Sequence, residues 1–447
     1  MTNNIFYTPK TLEELFKFHC SKFDEKTRKM MERDYETLFE GQKKAYSGII
    51  HDVITRVDEV VLSGYAGTGK THLLKLIIKA LNKTTNNKAH KLITFTGQMV
   101  DTLRSKDMYA QTIHSWFYIP LLDEKGNIID FEYSYVRATE PDFYLIEEYS
   151  NIDKELYTDI AKSGKTRIFV GDFFQNQPIG TGNDIFKRTK YLLTEISRYS
   201  GPLVEFATML RQNKSLPMER KFYISEDKGT VFGITFTHLK DDWWKNLEKF
   251  EKIICGTNKT RKSLNVEMRK RKGKTSVFPE PGEPIMCLKN YRNEDGYLEV
   301  ANGQELTVDK VIPNSEFYIN DIKFAEISLI NRQGELSTYA FACTPFEKED
   351  FDMKILSESA YNGALIIDFS YAVTSYKYQG AEAETVLVLG HDMLFAKDNY
   401  VHMVYAAITR AKKKCLLVMS QNKRHFEMLH FDEKKFELKD VIWWIIW

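Results

Sequence analysis

The clearest chemical signal in the sequence is Gly64-Tyr65-Ala66-Gly67-Thr68-Gly69-Lys70-Thr71, which has the G-x-x-x-x-G-K-[ST] spacing of a phosphate-cradling loop. The small residues Gly67, Thr68 and Gly69 let backbone N–H groups close around phosphate oxygens, and a helix starting there adds positive potential. Lys70 reaches the β- and γ-phosphates of a nucleoside triphosphate, and the Thr71 hydroxyl ligates Mg²⁺. Two carboxylates, Glu147 and Glu148, end the apolar run Phe143-Tyr144-Leu145-Ile146. Beside a phosphate loop, the first of such a pair serves the metal and the second orients and deprotonates the attacking water. Glu147 is one methylene longer than the Asp usual at this place, so it needs a metal-bound water or a shifted backbone. Gln175, past the strand-like Arg167-Ile168-Phe169-Val170, is suited to sensing a γ-phosphate. Arg198, after Leu193-Thr194-Glu195-Ile196-Ser197, reads either as a phosphate contact or as a surface ion-pair partner. The amide of Gln42, upstream of the loop, can match N6 and N7 of adenine, although an isolated surface glutamine often does nothing.

These groups need elements to hold them. Val60-Val61-Leu62 predicts a buried parallel strand, and Leu73, Leu74, Ile77, Ile78 and Leu81 recur at helical spacing after the loop. A second strand, Lys91 to Gly97, is followed by Thr112-Ile113-His114-Ser115. Threonines there can bond a nucleic-acid backbone, whereas His114 alone reads first as a structural histidine. Phe117 to Phe131 carries apolar segments around Glu124-Lys125-Gly126-Asn127, a β-hairpin signature that also fits an ordinary surface hairpin. A second αβ pattern follows, with a strand over Lys252 to Asn258 and a basic helix over Thr260 to Arg271. Its dense run, Lys259, Arg261, Lys262, Arg269, Lys270, Arg271, Lys272 and Lys274, is either a solvated face or a phosphate-backbone footprint. Residues 303–363 alternate short apolar and polar runs, which predicts a small inserted β-domain, and Thr385-Val386-Leu387-Val388-Leu389 and Cys415-Leu416-Leu417-Val418 predict further strands. Residues 1–40 read as charge-rich helix with Leu12, Leu15, Phe16 and Phe18 on one face.

Composition narrows the classes. At about 150 residues per domain, a chain of 447 residues holds roughly three folding units. The formal charge of +1 means that any nucleic-acid surface is local. Cys20, Cys255, Cys287, Cys343 and Cys415 contain no C-x-x-C pair, which argues against a disulfide framework or zinc site and fits a reducing cytoplasm. Met1 to Lys10 lacks the apolar stretch of a targeting signal, and no apolar run has the length to span a bilayer. The closing Val441-Ile442-Trp443-Trp444-Ile445-Ile446-Trp447 reads as a final strand or docked tail, with an aromatic partner-binding tail as the alternative.

Taken in order, these blocks resemble the motifs of superfamily 1 helicases from Gly41 to Val418, in the branch that moves 5′ to 3′ with the RecD-type enzymes. Thr374 to Glu382 matches T-x-H-K-x-Q-G-x-E, Tyr405 to Lys412 matches Y-x-A-x-T-R-A-K, and Leu193 to Arg198 looks like L-T-E-x-x-R. Tyr376 stands where His is usual, and Thr96-Gly97-Gln98 departs from P-T-x-x-A. The resemblance implies an α/β fold of two RecA-like parallel-sheet domains with a β-hairpin pin and a small inserted β-domain. Its boundaries would be a helical extension at 1–40, a first RecA-like domain at 41–210 with the pin at 117–134, a second at 211–302 and 364–447, and the insertion at 303–363.

The resemblance also implies roles. Lys70, Glu148, Gln175, Arg198 and Arg410 would be catalytic, the two arginines compensating charge at the γ-phosphate. Gln42, Gly67, Thr68, Gly69, Lys70, Thr71, Gly380 and Glu382 would bind ATP, with Thr71 and Glu147 on Mg²⁺. Thr96, Thr112, His114, Thr374 and Tyr376 would touch DNA, and Phe131 would be the wedge of the pin. The implied activity is ATP-driven 5′ to 3′ translocation and unwinding by a monomer on single-stranded and forked duplex DNA. A single-strand DNA-binding protein is an implied partner, no membrane is involved, and the place is the cytoplasm (the host's, if a phage encodes the chain). Two alternatives stand beside it, a translocase that displaces proteins from single strands and a nucleotide-gated DNA-binding module without unwinding. A small-molecule kinase would leave the second αβ unit and Thr409-Arg410 unexplained.

Overall fold

The computed structural model describes residues 12–21, 23–84, 90–122, 128–175, 184–196, 202–213, 234–237, 244–293, 298–347, 356, 363–420 and 441–446. The chain divides into two compact units, the first comprising Met1–Phe95, Ser134–Phe173 and Gln177–Arg198, the second Thr96–Tyr133, Phe174–Asn176 and Tyr199–Trp447. Residues Thr96–Tyr133 thus pack with the second unit, although their chain neighbours on both sides belong to the first.

The first unit is built on a parallel sheet in which Tyr191–Leu193, Glu59–Gly64, Thr166–Gly171, Phe143–Glu147 and His90–Thr94 lie side by side in that order. Strands covered on both faces are apolar without alternation. Val60, Val61, Leu62, Leu145, Ile146, Ile168, Phe169 and Val170 are accordingly all buried. Helix Lys70–Thr84 lays Leu73, Leu74, Ile77 and Leu81 into the core, as their spacing predicts. Of the N-terminal extension, helices Leu12–Cys20 and Glu25–Glu36 are described. Asp24 caps the second by accepting from the Thr27 N–H at 2.9 Å. Phe16, one of the apolar residues of the first helix, is buried and stacks on Tyr35 at 4.1 Å between ring centroids.

In the second unit, Ala372–Thr374, Lys252–Cys255, Ala383–Leu389 and Ala411–Ser420 form another parallel sheet. Val441–Ile446 extends its edge antiparallel to Ala411–Ser420 and also pairs with Ile234–Thr237, so the terminal segment is a closing strand. An antiparallel sheet follows the order Ala364–Leu365, Leu336–Ala342, Ile322–Ile330, Glu305–Val311, Pro284–Cys287, Ile367–Phe369. It reaches beyond residues 303–363 at both ends, because Pro284–Cys287 and Ile367–Phe369 pair with each other across the gap. Ile285, Leu306, Ile327 and Phe341 share one apolar core with Ile253, Leu387 and Leu416, so this sheet is seated on the parallel one. A short ladder pairs Tyr118–Leu122 with Ile128–Tyr133 as the expected hairpin, whose tip, 123–127, lies outside the described residues.

The basic helix runs from Asn258 to Arg271, with Thr257 as its cap. Its arginines are committed internally. Arg261 pairs with Asp368 at 2.8 Å, Arg269 with Glu283 at 2.8 Å and Arg271 with Glu267 at 2.6 Å. The three arginines of the positive run are therefore engaged within the fold, and its lysines are what a phosphate backbone would meet. Among the described residues no helix is long and apolar enough to cross a membrane.

Candidate functional site

Strand Glu59–Gly64 delivers the phosphate loop to the start of helix Lys70–Thr84. Gly67 at φ 80° and Gly69 at φ 76° take left-handed conformations that a side chain would strain. The loop folds around its own lysine, whose Nζ donates to the Gly64 carbonyl at 2.8 Å and the Tyr65 carbonyl at 3.0 Å. Those carbonyls hold the ammonium where phosphate oxygens would take over. The Thr71 hydroxyl donates to Glu147 Oε1 at 3.3 Å, which joins helix and strand at one point. The other oxygen of Glu147 accepts from the Glu148 N–H at 3.3 Å. Glu148 itself is left-handed, at φ 59° and ψ 46°, and ends the strand abruptly. Such strain in a residue with a side chain costs of the order of 1–3 kcal/mol and gathers at functional sites.

The Glu147 carboxyl is buried, and burial pushes its pKa from 4.5 up to about 7. The neighbouring Glu148 charge adds to the rise, while Lys70 and the bonds from the Glu148 N–H and Thr71 oppose it. A carboxyl that folding makes harder to ionise favours the folded state most below pH 4.5, and that contribution is lost as the pH rises through about 7. A hydroxyl and a carboxylate, both hard oxygen donors, with too little positive charge nearby, fit a divalent cation such as Mg²⁺. Gln42 is buried beside them. Its carbonyl accepts from the Phe39 N–H at 3.1 Å and its amide donates to the Thr68 carbonyl at 2.9 Å. One N–H and one lone pair of the amide are left over for a base edge.

The second unit gathers another set. Gln175 is buried and accepts from the Gln379 amide at 3.3 Å. Arg410 is buried where helix Tyr400–Ile408 gives way to strand Ala411–Ser420. Its Nε donates to the Ala406 carbonyl at 2.9 Å, and Nη1 to the Ala381 carbonyl at 3.5 Å. Gly380 and Glu382 flank Ala381, and the Ala383 N–H donates to the Arg410 carbonyl at 3.0 Å. The segment Gln379–Ala383 thus runs beside both Gln175 and Arg410. Phe174 packs its ring against His402 at 4.5 Å and Tyr405 at 5.0 Å, which ties Gln175 to the helix ahead of Arg410. Arg198 lies outside the described residues.

The residues expected to touch DNA all fall in the second unit. Thr96 caps helix Gly97–Arg104 and Thr112 caps helix Ile113–Phe117, each accepting a backbone N–H through its hydroxyl. Exposed His114 stacks on Tyr118 at 5.8 Å, at the root of the hairpin, where Tyr133 stacks on Phe117 at 5.7 Å. Phe131, paired across the ladder with Pro120, is 54% exposed. Thr374 ends its strand buried, and half-buried Tyr376 follows in the turn.

Residues 49–181 match the AAA domain family, and residues 369–418 match the UvrD-like helicase C-terminal domain. The chain is 26% identical over 194 residues to the ATP-dependent DNA helicase dda of Enterobacteria phage T4, a stretch covering 40% of this chain and 44% of that protein. It is 25% identical over 437 residues to the ATP-dependent DNA helicase Pif1 of Campylobacter jejuni, covering 83% of this chain and 90% of the relative. The chain is thus similar to DNA helicases over most of its length. The crystal structure of Bacteroides Pif1 bound to ssDNA superposes with a TM-score of 0.50 at 17% identity, covering 84% of this chain and 90% of that one. That likeness is one of fold, two RecA-like domains. The match to the phage relative spans less than half of that protein's length.

Sequence reasoning does not single out Gln379, although it stands within the stretch Thr374 to Glu382. Only the fold reveals its bond to Gln175. Nothing local marks Asp101 and Arg332, two charges so far apart in sequence, as partners.

Proposed function

We propose that the protein is an ATP-dependent DNA helicase that moves 5′ to 3′ on single-stranded DNA and parts duplex at its hairpin. The observation that carries this reading is the convergence of Gln175, Gln379–Glu382 and Arg410 on the second sheet. An enzyme that merely bound and cleaved a nucleotide at the Gly64–Thr71 loop would have no use for a second sheet so equipped. The names of the dda and Pif1 relatives, both ATP-dependent DNA helicases, support it.

In this reading the loop N–H groups and Lys70 bind the β- and γ-phosphates. Gln42 meets adenine with its remaining donor and acceptor, while Gly380 and Glu382 serve the ribose side. Thr71 and Glu147 hold Mg²⁺, which neutralises phosphate charge when bound. Glu148 orients the attacking water and takes its proton, Gln175 senses the γ-phosphate, and Arg198 and Arg410 compensate the charge that develops. Thr96, Thr112, His114, Thr374 and Tyr376 grip the strand. Tyr376, in place of the usual His, is suited to stacking on a base of any sequence. The protein acts as a cytoplasmic monomer on single-stranded and forked DNA, alongside a single-strand DNA-binding protein.

The first test is ATP turnover with and without single-stranded DNA. Stimulation of about tenfold or more is expected, and turnover indifferent to DNA contradicts the reading. Phe131→Ala should slow unwinding about tenfold, the worth of one aromatic–base contact, and leave DNA-stimulated turnover within about twofold. Equal loss of both would assign Phe131 to the grip rather than the wedge.

The raised pKa of Glu147 makes a separate prediction. Mg²⁺-nucleotide requires the ionised carboxylate, so its affinity should climb as the pH rises through about 7 and binding should release a proton. Calorimetry in two buffers of different ionisation enthalpy reads that proton directly. Glu147→Gln should abolish the release; unchanged release in that variant would place the titrating group elsewhere.

A further inference from the structure

Helix Gly97–Arg104 begins at Thr96, and every residue from Gly97 to Leu103 is buried. The turn at Ala301 and Asn302 presses on its first residue. A Cβ added to Gly97 would lie 2.4 Å from Ala301 Cβ and 2.5 Å from the Asn302 carbonyl oxygen. Further along, Gln304 donates to Asp101 Oδ1 at 3.3 Å. Arg332, on the turn between strands Ile322–Ile330 and Leu336–Ala342, spans the junction. Its Nε is 3.6 Å from Asp101 Oδ2, its Nη1 donates to Thr102 Oγ1 at 3.4 Å, and its Nη2 is 3.5 Å from Glu305 Oε2. Glu305 is anchored in turn by Lys252 and by the Ser370 hydroxyl at 2.5 Å. On another side, a Cβ on Gly380 would lie 2.9 Å from Met99 Sδ. One short helix therefore carries Thr96 at its start, meets the nucleotide-associated segment through Met99, and is tied to the antiparallel sheet through Asp101.

We infer that Arg332 is a positioning residue for the strand grip. By holding Asp101 and Glu305 together it fixes helix Gly97–Arg104 against the antiparallel sheet, and so fixes where Thr96 meets the DNA. This rests on the reading of Thr96 as a strand contact. The Asp101 side chain is only 4% exposed, so it depends on paired charge, whereas Glu305 keeps Lys252 if Arg332 is removed. Loss of Arg332 therefore loosens the helix and leaves the core charge pair in place. The guanidinium suits the task because its fork addresses two carboxylates and a hydroxyl at once, which an ammonium does not.

The test is Arg332→Met, which keeps the stem and removes the fork, with Arg332→Lys as the conservative variant. The readings are melting temperature, DNA-free ATP turnover, the DNA concentration giving half-maximal stimulation, and single-strand affinity by fluorescence anisotropy. Arg332→Met should lower the melting temperature, because buried Asp101 loses its ion partner. Well below that temperature it should leave DNA-free turnover close to the parent's, while weakening affinity and raising the half-stimulating concentration about tenfold. Arg332→Lys should recover part of the loss, and Asp101→Asn combined with Arg332→Met should be no worse than Arg332→Met alone. Unchanged affinity in Arg332→Met, or a fully additive double variant, overturns the inference. If the parent protein shows no DNA-stimulated turnover, the helicase reading fails, and anisotropy, which needs no turnover, still decides the role of Arg332.

Discussion

Replacing Lys70 with alanine should cut DNA-stimulated ATP turnover by at least about a hundredfold, the loss expected when a preorganised charge is taken from a transition state. The lysine is already aimed before nucleotide arrives, held by the Gly64 and Tyr65 carbonyls at 2.8 and 3.0 Å. Exchanging those neutral acceptors for phosphate oxygens gains charge-assisted bonds without reorganising the loop. Lys70→Arg should rescue poorly, because a planar fork does not fit between those carbonyls. Steady-state turnover at saturating DNA measures this, with strand affinity by anisotropy as the control for folding. Undiminished turnover in Lys70→Ala would remove the loop from the chemistry.

Glu148→Gln should lower kcat by about 10²- to 10⁴-fold, the usual worth of a general base, while nucleotide still binds. The substitution keeps size and shape, and glutamine accepts the left-handed backbone, φ 59°, on the same terms as glutamate. It also removes the neighbouring charge that helps raise the Glu147 pKa. Nucleotide binding should therefore reach its full strength at lower pH in this variant than in the parent. Single-turnover hydrolysis with pre-bound nucleotide separates the lost chemistry from retained binding. A kcat within about threefold of the parent would give the base role to another group.

How far the sequence could be read depends on the range of the interactions involved. The phosphate loop was legible because its chemistry is local: Gly64 to Thr71 contains every atom that makes it, and the flanking strand and helix announce themselves by apolar spacing. The same holds for Glu147-Glu148 and for the strands built from Ile253, Leu387 and Leu416. What stayed hidden was set by partners far away in the chain. Gln42 spends half its amide on Phe39 and Thr68, which spacing cannot show. Arg261, Arg269 and Arg271 look like a nucleic-acid footprint until Asp368, Glu283 and Glu267 appear beside them. Pro284–Cys287 pairs with Glu305–Val311 on one side and with Ile367–Phe369 on the other, long-range pairings that carry the antiparallel sheet past the expected bounds at 303 and 363 and that no local pattern announces. Asp101 and Arg332 are mute in sequence because an ion pair leaves no periodicity.

The central claim is that ATP hydrolysis drives directed travel along one DNA strand, and duplexes with a single tail test it most directly. Identical duplexes carrying only a 5′ or only a 3′ single-stranded tail are mixed with protein and ATP, and strand release is followed by fluorescence. Release is expected from the 5′-tailed duplex and none from the 3′-tailed one, and that release should depend on Lys70. Release from the 3′-tailed duplex, or no release from either while DNA-stimulated hydrolysis proceeds, would contradict it.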